Sequence, residues 1–237
     1  MDEHREHQLA ETEQNKAKDA AGPISTGLIH IVFWCWSLVN RILYRPHVTY
    51  DSAEVKKLMK DKPCILIANH TRHADGYVVP PVLKGRKIYV LITAKWYNKK
   101  KLNWIFRRLR YIPIDLTVMD NSWMEKAKQK MEEGYSILIF PEGKLSRDGN
   151  VDRFLPGFLM LARHTDAQIV PITIRGGYRA FHRQDIRVGN PIAYDAKQKG
   201  RPSQIFKTGA ELCRNRIIEM LAEDGVYRTN PGTEDRT

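Results

Sequence analysis

Four short, nearly continuous apolar runs constrain this chain most: Cys64–Ala68, Ile88–Thr93, Ile137–Phe140 and Ile169–Ile174. Each has the length of a strand, and none alternates with polar residues. A sheet built from them must be covered on both faces, which is the condition of a parallel sheet. Further strands are expected at Val48–Tyr50, Tyr111–Ile114 and Ile186–Val188. Between them, helices fit at Ala53–Met59, Gly76–Leu83, Lys100–Leu109, Ser122–Glu133, Gly157–His164 and Gln204–Ala222. Gly134 reads as the stop of the fourth helix and Ser203 as the start of the last. The chain reads as a single α/β domain over residues 46–225, with a mostly parallel central sheet flanked by helices.

The ends differ from this body. Residues 1–25 are a polar tail expected to be disordered, with six acids and three bases, and 226–237 read as a flexible tail. Residues 26–45 hold the most hydrophobic stretch, yet its strongly apolar part, Ile31 to Val39, is too short for a bilayer core, which needs about 20 residues. Trp34 and Trp36 suit the headgroup boundary, so the segment reads as an interfacial amphipathic helix preceding the domain. The remaining reading is a core helix of a soluble protein.

Charge narrows the partners. The chain carries +12 overall, and the tail is net acidic, so the excess lies in the domain. From Gly76 to Ile114 there are ten lysines and arginines and no acid. Within that block Trp104, Ile105 and Phe106 lie beside Lys99–Lys101 and Arg107–Arg110, a mixture that suits an anionic membrane surface. Nucleic acid and a phosphorylated substrate are the other partners that would supply the missing negative charge. Cys35, Cys64 and Cys213 are too dispersed for a disulfide framework or a zinc site and fit a reducing compartment.

Two strands end in polar loops. Asn69-His70-Thr71-Arg72-His73-Ala74-Asp75-Gly76 follows the first run, and Phe140-Pro141-Glu142-Gly143 follows the third. A histidine with a carboxylate five residues on can be a base with its orienting acid, able to take a proton from a hydroxyl. A metal site of His70, His73 and Asp75 competes with this, although no HExxH arrangement is present. A basic binding module for nucleic acid or membrane, without catalysis, also competes, although no RNP, zinc-finger or GxxG signature is present.

His70-x4-Asp75 with Phe140-Pro141-Glu142-Gly143 resembles the glycerolipid acyltransferase family, the 1-acylglycerol-3-phosphate acyltransferases and their relatives. Two further blocks are similar in the expected order. One runs from Lys95 to Tyr111-Ile112-Pro113-Ile114-Asp115, and the other from Ile169 to Gly176 and on through Val188-Gly189-Asn190-Pro191-Ile192. The resemblance implies acyl transfer from acyl-CoA or acyl carrier protein to the hydroxyl of 1-acylglycerol 3-phosphate. His70 is then the general base and Asp75 its orienter, with no cofactor and no metal. It implies substrate contacts from Asn69, Lys95, Phe140, Pro141, Glu142, Gly143, Lys144, Ser146 and Arg147. Glu142 would order the loop or bond the acceptor, and backbone N–H groups near Gly143 would meet the oxyanion. His73 is expected to face solvent or pack locally.

The chain departs from the family at two positions where arginine usually pairs with the acceptor phosphate. Here they are Leu116 and Leu145, leaving Lys95, Lys144 and Arg147 as the compensating cations. Another lysophospholipid, or a transacylase reaction on one, is therefore the alternative. The expected setting is the cytoplasmic side of the cell membrane, as a peripheral or monotopic protein on anionic lipid, without nucleic acid.

Overall fold

The computed structural model describes residues 38–85, 87–99, 110–117, 121–146, 150–176, 181–195 and 200–225, with Ile31, Cys35 and Phe106 besides. The chain divides into two compact units, Met1–Ile42 and Leu43–Thr237. In the first, the described residues are helical, and Ile31, Leu38 and Ile42, on one face by their spacing, are exposed. No helix among the described residues is long and apolar enough to cross a membrane. The tails 1–25 and 226–237, and the expected helix at 100–109 apart from Phe106, lie outside the described residues.

The second unit is built on seven strands: β1 (Pro46–Tyr50), β2 (Ile65–Ala68), β3 (Ile88–Thr93), β4 (Tyr111–Ile114), β5 (Ser136–Ile139), β6 (Ile169–Arg175) and β7 (Gln184–Val188). Their order is β1-β7-β6-β2-β5-β3-β4, and every neighbouring pair is parallel except β6 with β7. The mostly parallel sheet expected from the apolar runs is present.

Period-two alternation divides the core. Ile65, Ile67, Ile137 and Ile139 face one side, where α4 (Ser122–Glu132), α5 (Gly157–Thr165) and α6 (Pro202–Glu223) pack through Trp123, Ala127, Phe158, Leu161, Cys213 and Ile217. Leu66, Ala68, Leu138, Val170 and Ile172 face the other, against Val55 and Met59 of α1 (Ala53–Asp61). Each fully buried Leu, Ile or Phe contributes about 1.5–3 kcal/mol, so the central strands are fixed on both faces.

Local sequence sets the helix ends. The Ser52 hydroxyl accepts from the Val55 N–H and starts α1. Gly134, at φ 91°, ends α4 as expected. The helix expected over Gly76–Leu83 is shorter: α2 is Asp75–Val78, because Pro80 and Pro81 bring no N–H and crowd the preceding turn. Pro202, with its φ preset for a first turn, starts α6 one residue before Ser203. A short helix not expected from sequence, α3 (Ala94–Tyr97), follows β3. The result that matters for chemistry is that β2, β3, β4, β5 and β6 all end at one edge, where ligands of such sheets sit.

Candidate active site

The chain after β2 turns on a buried asparagine. Asn69 Nδ2 donates to the Ile174 carbonyl at 3.1 Å, and its Oδ1 accepts from the Ile174 N–H at 2.8 Å. Its amide thus continues the β2–β6 ladder by one step. Asn69, expected to contact substrate, instead spends its side chain on the main chain of β6.

His70 follows. Its Nδ1 lies 2.9 Å from Asp75 Oδ2, and that same oxygen accepts the N–H groups of Thr71 at 2.8 Å and Arg72 at 2.9 Å. Asp75 is fully buried and opens α2, so it is fixed by its helix as well as by these donors and the Thr71 hydroxyl, which lies 3.3 Å from its Oδ1. A carboxylate oxygen only accepts, which places the imidazole proton on Nδ1 and makes Nε2 the basic atom. The His70 ring stacks on Phe140 with centroids 4.2 Å apart and planes at 21°. The expected pair is assembled.

The loop after β5 holds that pair. Glu142 is buried; its Oε1 accepts the His70 N–H at 2.9 Å and its Oε2 the Asp152 N–H at 3.0 Å. Burial pushes the Glu142 carboxyl up, while the N–H groups of Asp152 and His70 pull it down. Both oxygens serve main chain, so Glu142 orders the loop. The Ser146 N–H donates to the His70 carbonyl at 3.0 Å, adding a second stitch between the motifs. Pro141 is buried, and its carbonyl takes the Leu155 N–H at 2.8 Å.

Three groups of this loop have partners within the protein. Gly143, at φ 68°, donates its N–H to the Phe140 carbonyl at 3.1 Å, so that group closes a turn and is not open to an oxyanion. Lys144 pairs with Asp152 at 2.6 Å, so its charge is already met. The Ser146 hydroxyl donates to the Asn150 carbonyl at 2.8 Å. Arg147 lies outside the described residues. Lys95 is exposed on α3 and lines the cavity described next.

A cavity of about 1200 Å³ opens at His70. Ile92, Tyr111, Ile139, Trp123, Phe158 and Leu155 give it an apolar wall, and Lys95, Lys99, Lys144 and Ser146 line it too. Leu116 and Leu145, the two departures from the arginine pattern, are also in its wall. Tyr111 donates its phenol to the Gly76 carbonyl at 3.1 Å, tying β4 to α2 beside Asp75; burial drives its pKa far up, which keeps it a donor. No spacing in the sequence marked Trp123 or Phe158, since each reads as an ordinary core aromatic, and Tyr111 stood only within a block of resemblance, with no role of its own.

His73 is exposed, with its ring 4.6 Å from Trp96, and burial and the charges of His70 and Lys99 lower its pKa. It packs locally at the rim, as expected. Among the described residues no group of three His, Cys, Asp or Glu side chains is placed to hold a metal ion.

A chloroplastic 1-acyl-sn-glycerol-3-phosphate acyltransferase of Brassica napus is 29% identical over 152 residues, covering 62% of this chain and 42% of that protein. The corresponding enzyme of Limnanthes douglasii is 30% identical over 143 residues, covering 57% and 49%. This chain thus spans less than half the length of these curated relatives. The crystal structure of PlsC from Thermotoga maritima, a 1-acyl-sn-glycerophosphate acyltransferase, shares the fold with a TM-score of 0.56 at 19% identity, covering 85% of each chain. The sequence profile named Acyltransferase matches residues 49–175, more than half of the sequence and all of the segment that carries both motifs. The chain belongs to the Acyltransferase family.

Proposed function

We propose that this chain moves a fatty acyl group from an acyl thioester to the free hydroxyl of 1-acylglycerol 3-phosphate, forming phosphatidate at a membrane surface. The observation that carries the reading is the His70–Asp75 pair, 2.9 Å apart, at the wall of an apolar cavity large enough for an acyl chain. His70 Nε2 takes the proton as the hydroxyl oxygen attacks the thioester carbonyl, a contribution of roughly 10² to 10⁴-fold. The tetrahedral intermediate collapses with cleavage of the C–S bond, and the proton passes from the imidazolium to the departing thiolate. Asp75 holds the ring in the required tautomer and stabilises its charged form. Transfer is direct, without an acyl-enzyme, and the pair needs no metal or cofactor for this chemistry.

The anionic donor is acyl-CoA or acyl carrier protein, for which Lys95 and Lys99 at the cavity supply positive charge. Peripheral attachment to a membrane is supported by the exposed apolar face of the N-terminal helix at Ile31, Leu38 and Ile42, and the setting that goes with this reading is anionic lipid on the cytoplasmic side of the cell membrane. A nucleic-acid module is less well supported. Lys84, Lys87 and Arg110 precede β3 and β4, whereas Lys95 and Lys99 follow β3, so the described bases sit at opposite ends of the sheet. They form no continuous track for a phosphate backbone.

One observation favours a second acceptor. Leu116 and Leu145 line the cavity and Lys144 is paired, so an arginine fork for a phosphate monoester is replaced by apolar wall. A lysophospholipid with a larger headgroup, including one used in transacylation, fits that wall. The test is to incubate the protein with acyl-CoA and a panel of lysolipids and follow free thiol. Preference for 1-acylglycerol 3-phosphate supports the first acceptor, and preference for a larger headgroup the second. No acceptor-dependent thiol release ends both thioester reactions, and transacylation, which releases no thiol, is ended by failure to move a labelled acyl chain from a phospholipid to a lysophospholipid.

A further inference from the structure

The exposed large apolar side chains of the α/β unit are not scattered. Among the described residues they are Tyr77, Leu116, Leu155, Phe181 and Leu212. Tyr77 follows β2, Leu116 follows β4, Leu155 is bonded to Pro141 just past β5, and Phe181 lies between the end of β6 and the start of β7. All four therefore stand at the edge of the sheet that carries His70, and Leu212 on α6 is the exception. Single exposed apolar residues need no explanation, but a concentration at one edge marks an interaction surface.

The patch is also held in place. Leu116 and Leu155 converge on Gly143, where a Cβ would lie 3.2 and 2.9 Å from their Cδ1 atoms. Phe181 sits at φ 63°, a region unfavourable for a bulky side chain, and its N–H bonds the Leu43 carbonyl at 2.6 Å. The chain is thus fixed in a left-handed turn while 66% of that residue stays exposed. Cations flank the patch. Lys95 is exposed on α3, and Lys99 lies over the Trp96 ring at 3.3 Å from its centroid. The acids near them are engaged elsewhere, with Asp152 on Lys144 and Asp115 on the Thr117 N–H and hydroxyl.

We propose that this edge of the α/β unit rests directly on a lipid bilayer bearing anionic headgroups. Leu116, Leu155 and Phe181 enter the interface, with Lys95 and Lys99 over the headgroups. Two features select lipid over a protein partner. Leu116 and Leu155 belong both to the exposed patch and to the cavity wall, so an acyl chain passing from bilayer to cavity stays on apolar surface. The flanking cations complement the charge of such a bilayer. This docking face belongs to the catalytic unit itself and adds to the N-terminal helix. It rests on the acyltransferase reading only in taking its substrate to be a lipid.

The test uses the full chain in a Cys35→Ser background, since Cys64 and Cys213 are buried. Leu116→Cys, Phe181→Cys and Leu212→Cys are each labelled with a nitrobenzoxadiazole dye. They are then mixed with phosphatidylcholine–phosphatidylglycerol vesicles, with or without nitroxide on the acyl chains. Emission at 116 and 181 should rise several-fold and be quenched by the nitroxide, while 212 stays as in water. Equal behaviour at all three sites, or no quenching at 116 and 181, overturns the proposal. Unlabelled Phe181→Ser supplies a second readout. Its turnover should fall several-fold on vesicle-borne acceptor and hold on a short-chain acceptor kept monomeric; an equal fall on both, or no fall on either, also overturns it. Transfer to the monomeric acceptor by the parent protein keeps the two readings apart. If it is present without quenching, only the docking face fails; if it is absent, the acyltransferase reading fails.

Discussion

The loops after β2 and β5 end neighbouring parallel strands, and each buries one carboxylate, yet the two acids do different work. Asp75 gives an oxygen to the imidazole it must orient, together with two backbone N–H groups. Glu142 gives both oxygens to main chain and none to a reacting group. On the proposed reading the first loop carries the chemistry and the second fixes where it happens. An acid that touches the base shows itself in turnover, and an acid that touches only the backbone shows itself in stability as well.

The comparison can be broken by removing the parts in turn. Asp75→Ala should lower kcat by roughly 10²-fold, because the imidazole loses the partner that sets its tautomer. A kcat close to the parent's would remove Asp75 from the mechanism. Glu142→Gln should cost about tenfold in turnover, since an amide can accept only one of the two N–H bonds well.

The same variant has a signature in pH. Burial raises the Glu142 carboxyl above its ordinary value of 4.5, so the folded state holds the proton more tightly than the unfolded chain. Ionisation therefore costs stability as pH rises from below 4.5 through the raised value. The Tm of the parent should fall relative to Glu142→Gln over that window, and parallel curves would contradict the burial argument.

Smaller effects are expected further out. Gly143→Ala must place a Cβ 2.9 Å from Leu155 Cδ1 at a φ of 68°, and should cost about 1–2 kcal/mol by denaturant unfolding. Lys144→Ala breaks an exposed pair with Asp152 and should leave the midpoint of denaturant unfolding essentially unchanged. Its turnover should stay within about twofold if the lysine has no acceptor role. A large rise in KM instead would return Lys144 to the acceptor site.

How much of this could be read from sequence follows from which interactions are local. The strands were legible because continuous apolar runs such as Cys64–Ala68 have few other uses, and His70 with Asp75 because both lie in one turn. The extension of α2 to Leu83 was misread by weighting apolar content above the two prolines that stop it. The partners of Asn69, Lys144 and Ser146, which are Ile174, Asp152 and Asn150, are set by loop geometry that spacing does not encode. The cavity wall was invisible for a similar reason. Tyr111, Trp123 and Phe158 come from β4, α4 and α5 and meet only through sheet order.

On the proposed mechanism His70 removes the proton from the acceptor hydroxyl. The most direct measurement is the rate of acyl-CoA consumption by His70→Ala in the presence of 1-acylglycerol 3-phosphate, on protein whose circular dichroism and melting match the parent. A loss of roughly 10² to 10⁴-fold is the result expected of a general base. Turnover near that of the parent would contradict it.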